Sequence, residues 1–214
     1  MNPLTFAKNQ AGVFAALTIE HLYVVALAVI MATVIGVLIG VLTYRSPLAR
    51  NLAMRSAGVI LTIPSFALFG VFLGWFSLTL WSSLLPLVLY GLLPIIRNTV
   101  VGLTEVDDAV VESAKGMGMT HRQRLTKIEL RLATPVILTG IRVTTTLLIG
   151  ILAIAAIING PGLGNPIMDA LARVGTPIAI PEGVIATVLI VLVAILLDVL
   201  FAVITRFATP KGLR

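Results

Sequence analysis

An all-α polytopic membrane protein is the fold class this sequence predicts, with five transmembrane helices and a cytoplasmic loop of two short helices. Three observations carry that prediction. Hydrophobic residues fill 58% of the 214 positions, charged residues only 11%, and the mean hydropathy is +1.09. A soluble core could not hide that much apolar surface. Charge-free runs long enough to cross about 30 Å of hydrocarbon recur along the chain. The remaining charge gathers in one island, residues 104–132, which holds ten of the 24 charged residues (15 basic, 9 acidic). One membrane domain is expected over 19–206, after an extracytoplasmic or interfacial segment 1–18 and before a cytoplasmic tail 207–214.

Residues 1–18 are mildly apolar with Lys8 as their single charge. No cleavable signal peptide is expected, because the first strongly apolar run is too long and has no basic leader. From Leu22 to Tyr44 no residue is charged, which is enough for the first span. Gly36 and Gly40 within it make a small-xxx-small pattern that permits close helix contact. Arg45, Arg50 and Arg55 flank a loop at Pro47. The charge-free stretch from Ser56 to Ile96 then holds two spans and a tight turn, with Trp75 and Trp81 bracketing the turn at interfacial depth. Pro64 and Pro86 fall inside those two helices, where a lost backbone donor favours a kink. A fourth span covers Ala133 to Ile158, a Gly/Pro/Asn-rich loop follows at 159–166, and a fifth span covers Pro181 to Thr205.

The island reads as two helices. Thr104 with Asp107, and Thr120 with Gln123, both have capping-box spacing. Val106, Val110 and Ala114 share a face of the first helix, and Leu125, Ile128 and Leu132 a face of the second. Gly116-Met117-Gly118 separates them, because glycine takes the backbone angles that end a helix.

These residues resemble a known signature. Glu112-Ser113-Ala114, Gly118 and Ile128-Glu129-Leu130 match the spacing of the EAA loop of bacterial ABC importer permeases, with Ser113 in place of an alanine and Arg131 where that family usually carries proline. The resemblance covers roughly residues 18–207. Ile63-Pro64-Ser65, Leu93 through Thr99, and Gly116 through Thr120 look most like the permeases for osmoprotectants such as glycine betaine, carnitine and choline. It implies an inner-membrane subunit that pairs with a second permease subunit, identical or homologous. It also implies a substrate-binding protein outside and ATPase subunits inside. Glu112, Ser113, Ala114, Gly116, Gly118, Ile128 and Leu130 would then couple to the ATPase, which would carry ATP and Mg. No cofactor is expected on this chain. A methionine-type permease, or a stand-alone secondary transporter or channel using Asp198, are the alternatives.

Other chemistries find little support. There is no Walker sequence for a P-loop and no GxSxG element, and neither His21 nor His121 has a second ligand at metal spacing. The net charge of +6 borders apolar spans and does not form a basic face for nucleic acid. Cysteine is absent. Lys and Arg concentrate in the 45–55 loop, the island and the tail, so the positive-inside rule puts the N-terminus outside and the C-terminus in the cytoplasm. Arg97, Arg142 and Asp198 lie deep in the cytoplasmic half, each about 10–14 Å from the cytoplasmic end by helical rise. An ionised group there is costly unless paired, so Asp198 is expected to pair with Arg142 or Arg97.

Overall fold

The computed structural model describes residue 6 and residues 8–208. Lys211 and Arg214 of the basic tail therefore lie outside the described residues, as do residues 1–5 and 7 of the N-terminal segment. The described chain is helical in nearly all its elements. In order they are α1 (Ala11–Thr43), α2 (Pro47–Thr62), α3 (Ser65–Phe76), α4 (Leu80–Thr104), α5 (Asp108–Gly116), α6 (His121–Arg124), α7 (Leu130–Ile154), α8 (Gly164–Ala172) and α9 (Ala179–Ala208).

α1 begins eleven residues before the charge-free run. At 33 residues and about 50 Å by helical rise it exceeds the bilayer core, and the helix runs unbroken through residue 18. Its early turns are held by Phe14, which packs with Phe6, Leu163 and Ala186. Glu20 and His21 then grip the loop after α7. Glu20 accepts from the Gly162 N–H at 3.0 Å, and His21 Nδ1 accepts from the Leu163 N–H at 3.3 Å. Because Nδ1 accepts, Nε2 carries the hydrogen, which it donates to the Ile149 carbonyl at 3.2 Å. A Cβ on Gly162 would stand 2.8 Å from that ring, and the residue's φ of +96° is open to glycine alone at low cost.

The second span is not the single kinked helix expected around Pro64. α2 and α3 meet at 94°. Proline pushes the residue before it out of the helical region, so Ile63 is extended (φ −71°, ψ 130°) and ends α2, while Pro64 starts α3. The Ile63 carbonyl freed by the break accepts from the Tyr90 hydroxyl at 2.6 Å. Four helices are long and apolar enough to cross a membrane without counting this pair. The pair nonetheless returns the chain to its starting end, since Leu78 and Thr79 beyond it line one cavity with Glu20 and Asn159. Counted as one broken span, it brings the number of candidate crossings to five.

α4 is the central helix, with most of its residues buried, and packs against α1, α2, α3 and α7. Both Pro86 and Pro94 lie within it. Gly36 and Gly40 of α1 face it so closely that a Cβ would come within 2.8 Å of Ile95 and 2.6 Å of Thr99. One apolar cluster joins Val25 and Ala32 of α1, Phe69 of α3, Leu87 and Ile95 of α4, and Leu148 and Leu152 of α7. A second joins Tyr44, Ala57, Ile96, Leu103 and Ala133 at the other end. α9 buries only Ala179, Pro181, Ala186 and Val193 and leans on α7 and α8.

From His121 to Ile158 the chain is one continuous 38-residue rod. The island's second helix and the fourth span are thus a single element, with no break at Arg131. A π-helical turn at Leu125–Glu129 interrupts its α-geometry.

Candidate functional site: the polar loop and the intramembrane charges

The loop between α4 and α7 starts differently from its sequence pattern. Thr104 is no cap. It closes α4, and its hydroxyl turns back to the Val100 carbonyl at 2.9 Å. Asp107 caps α5 instead, its Oδ1 accepting from the Ala109 N–H at 2.8 Å. Asp108 in the first turn and Lys115 in the last suit the helix dipole. Ala114 is the single buried residue of α5, while Glu112, Ser113 and Gly116 face solvent. Glu112 sits 3.6 Å from Lys115, an exposed pair of small energetic weight. The Ser113 hydroxyl donates to the Ala109 carbonyl at 2.7 Å, which leaves the backbone helical where the related motif has alanine.

The α5–α6 turn is a Schellman closure. Gly118 N–H donates to the Lys115 carbonyl at 2.9 Å and Met119 N–H to the Ala114 carbonyl at 3.2 Å. That geometry requires a left-handed residue, and Gly118 supplies it at φ +79°. The Thr120–Gln123 capping box is present in both halves, at 2.8 and 3.3 Å. Met117 stands 70% exposed at the tip. Ile128 and Leu130 are half-buried at the start of the rod. The result is a nine-residue helix held at its ends and by Ala114, with its remaining surface open. A helix this short is marginal by itself, so the surface it offers is set by its caps and its neighbours.

In the spans, Asp198 of α9 receives two bonds from Arg142 of α7, Nε to Oδ1 at 2.5 Å and Nη2 to Oδ2 at 2.6 Å. This is the bidentate fork that guanidinium and carboxylate planes favour. Arg97 lies exposed on α4 and makes no ion pair among the described residues.

A further cluster had no signal in the sequence analysis. Tyr44, one residue past α1, donates its hydroxyl to Glu129 Oε2 at 2.6 Å, and Arg45 reaches Glu129 Oε1 at 3.1 Å. Glu129 lies between Ile128 and Leu130 in a stretch read as amphipathic, and nothing in that periodicity marks it as inward-facing.

Residues 13–210 match the family described as "binding-protein-dependent transport system inner membrane component". The chain is similar to the osmoprotectant import permease protein OsmW of Salmonella typhimurium, at 40% identity over all of both chains. It is 34% identical to the glycine betaine/carnitine/choline transport system permease protein OpuCB of Bacillus subtilis, over 99% of this chain and 95% of that one. The fold is that of an inward-facing MetNI methionine ABC transporter chain, with TM-score 0.81 over 94% of this chain and 99% of that one, at 21% identity.

Proposed function

The chain belongs to the binding-protein-dependent transport system inner membrane components, and from that premise we propose that it is the permease of an ATP-driven importer for osmoprotectants such as glycine betaine, carnitine or choline. The observation that carries the substrate class is the 40% identity to an osmoprotectant permease across both full lengths. ATPase subunits, holding ATP and Mg, dock on the loop through Glu112, Ser113, Ala114, Gly116 and Gly118, with Ile128 and Leu130 at the rod's entry. The loop's exposed surface and its tightly defined turn support that assignment. A second permease subunit completes the pathway, and a binding protein delivers solute outside. The loop, the 45–55 segment and the C-terminus face the cytoplasm, as the distribution of Lys and Arg favours.

ATP-driven closure of the partners would move α5. The continuous rod from His121 to Ile158 would carry that motion into the membrane as a rigid-body switch. A secondary transporter coupled to protons through Asp198 would need that carboxylate free to exchange its proton. Both oxygens of Asp198 are instead engaged by Arg142, which weighs against that alternative. The deciding experiment reconstitutes the permease with its ATPase in liposomes and adds candidate binding proteins loaded with glycine betaine, choline, carnitine or methionine. Stimulation of ATP hydrolysis by a quaternary-amine protein is the expected result. Stimulation by the methionine protein alone reassigns the substrate, and gradient-driven uptake without any ATPase discards the importer reading.

A further inference from the structure

Glu129 is the only buried carboxylate among the described residues, its side chain 3% exposed. A carboxylate removed from water is strongly disfavoured unless it is paired and hydrogen-bonded. Here every partner comes from the two residues that follow α1. The Tyr44 hydroxyl donates to Oε2 at 2.6 Å, and Arg45 Nη2 spans Oε1 and Oε2 at 3.1 and 3.4 Å. Arg45 Nε also donates to the Tyr44 oxygen at 2.6 Å, so the three side chains close a triangle.

The place of Glu129 in the rod gives that triangle its leverage. It ends the π-helical turn Leu125–Glu129, where the Leu130 N–H reaches five residues back to the Leu125 carbonyl. A π-turn holds one residue more than an α-turn and persists where surrounding contacts over-determine it. Collapse to α-geometry would rotate α6 and the loop before it by about 100° relative to α7. A cavity of about 250 Å³ lined by Tyr44, Arg45, Leu103, Thr104, Asp108 and Glu129 leaves room beside the turn for such a movement.

We propose that Glu129, Tyr44 and Arg45 form a latch that fixes the rotational register of the loop against α1, making them positioning residues for coupling to ATP hydrolysis. The inference rests on the importer reading above. It adds a direct mechanical link from the loop to the first span, parallel to the link through the rod.

The test measures solute taken up per ATP hydrolysed in liposomes holding the full complex, with labelled glycine betaine or choline and the cognate binding protein, for Glu129→Ala, Glu129→Gln and Tyr44→Phe. Glu129→Ala is expected to lower the ratio about tenfold, within the range of coupling changes made by residues remote from both ligands. Glu129→Gln should fall between it and wild type, because its amide oxygen still accepts from Tyr44. A passive brace would change the amount of assembled complex and leave the ratio alone, so a wild-type ratio in Glu129→Ala overturns the proposal. Should that variant fail to assemble, Tyr44→Phe decides, and an unchanged ratio there overturns it equally. A wild-type complex with no ATP-driven uptake would sink the importer reading and the latch with it. A coupled wild type with a coupled Glu129→Ala sinks the latch alone.

Discussion

At the scale of single residues, two kinds of position separate stability from coupling. Asp198 belongs to the first kind. Its two bonds to Arg142 satisfy a guanidinium inside a span, and Asp198→Asn leaves that cation without its counter-charge. Membrane level and uptake are both expected to fall several-fold. Arg142→Met with Asp198→Leu, which removes both charges together, should restore the level, because apolar replacement of a whole pair is tolerated far better than loss of one partner. Immunoblot and uptake assays on the three variants check this, and a double variant no better than the single one refutes the pairing argument. Gly118 and Glu112 belong to the second kind. Nothing lies within 4 Å of a Cβ built on Gly118, so Gly118→Val acts only through its φ of +79°, at about 1–2 kcal/mol. Asn tolerates that region better than a β-branched residue. Gly118→Val should therefore uncouple substrate-stimulated ATP hydrolysis while the subunit inserts normally, and Gly118→Asn should retain most of it. Glu112→Lys breaks only an exposed pair, so any loss of stimulated hydrolysis in that variant reports the docking surface and not the fold.

At the scale of elements, α1 and α4 approach closely enough to leave no room for a side chain at Gly36 or Gly40. A Cβ at Gly40 would overlap both the Cβ and the Cγ2 of Thr99 at 2.6 Å, and these belong to a short branched side chain that cannot swing away. Gly40→Val is expected to cost about 1–3 kcal/mol through overpacking, read as a lower Tm of the detergent-solubilised permease. Gly70→Ala, with nothing within 4 Å and inside a helix where Ala is the better former, should not lower Tm. The Gly36/Gly40 contact was only half legible, because the four-residue spacing permits close helix contact but glycine is also common in membrane helices for no such reason. The Arg142–Asp198 pair was legible because helical rise alone puts both residues at one depth. What escaped notice had no periodic signature. The break at Ile63-Pro64 reads the same as a kink, since proline permits either and only the packing of Tyr90 on the freed carbonyl distinguishes them. The π-turn is invisible because one added residue changes which face Glu129 occupies without changing composition. Thr104 was misread as a cap because capping spacing says nothing about where the preceding helix stops. The early turns of α1 were missed because what stabilises them, the loop at 159–165, is distant in sequence.

At the scale of the whole molecule, the side each end occupies decides whether an ATPase can reach the loop at all. Contacts fix which segments share an end. Glu20 meets the 159–163 loop and lines a cavity with Leu78 and Thr79, whereas Tyr44 and Arg45 meet Glu129 at the opposite end of α1. The two groups differ in charge. The second holds Arg45, Arg50, Arg55 and the island's five basic residues, and the first holds Lys8 and Arg173. If Lys and Arg are retained in the cytoplasm, the second end faces inward and the first outward. The chain has no cysteine, so single substitutions become unique labels without prior engineering. Lys8→Cys and Arg173→Cys replace residues at the first end, Met117→Cys and Lys127→Cys replace exposed residues at the second, and α1 separates them by about 50 Å of helix. In intact cells a membrane-impermeant maleimide is expected to label the first two at least tenfold faster, and the second two only after permeabilisation, the bilayer excluding a charged reagent at the cost that governs any ion in hydrocarbon (about 2–3 kcal/mol or more). Labelling of Met117→Cys in intact cells would place the loop outside and remove the coupling assignment. Equal labelling of Lys8→Cys and Met117→Cys would mean that the bent α2–α3 pair does not hold one topology.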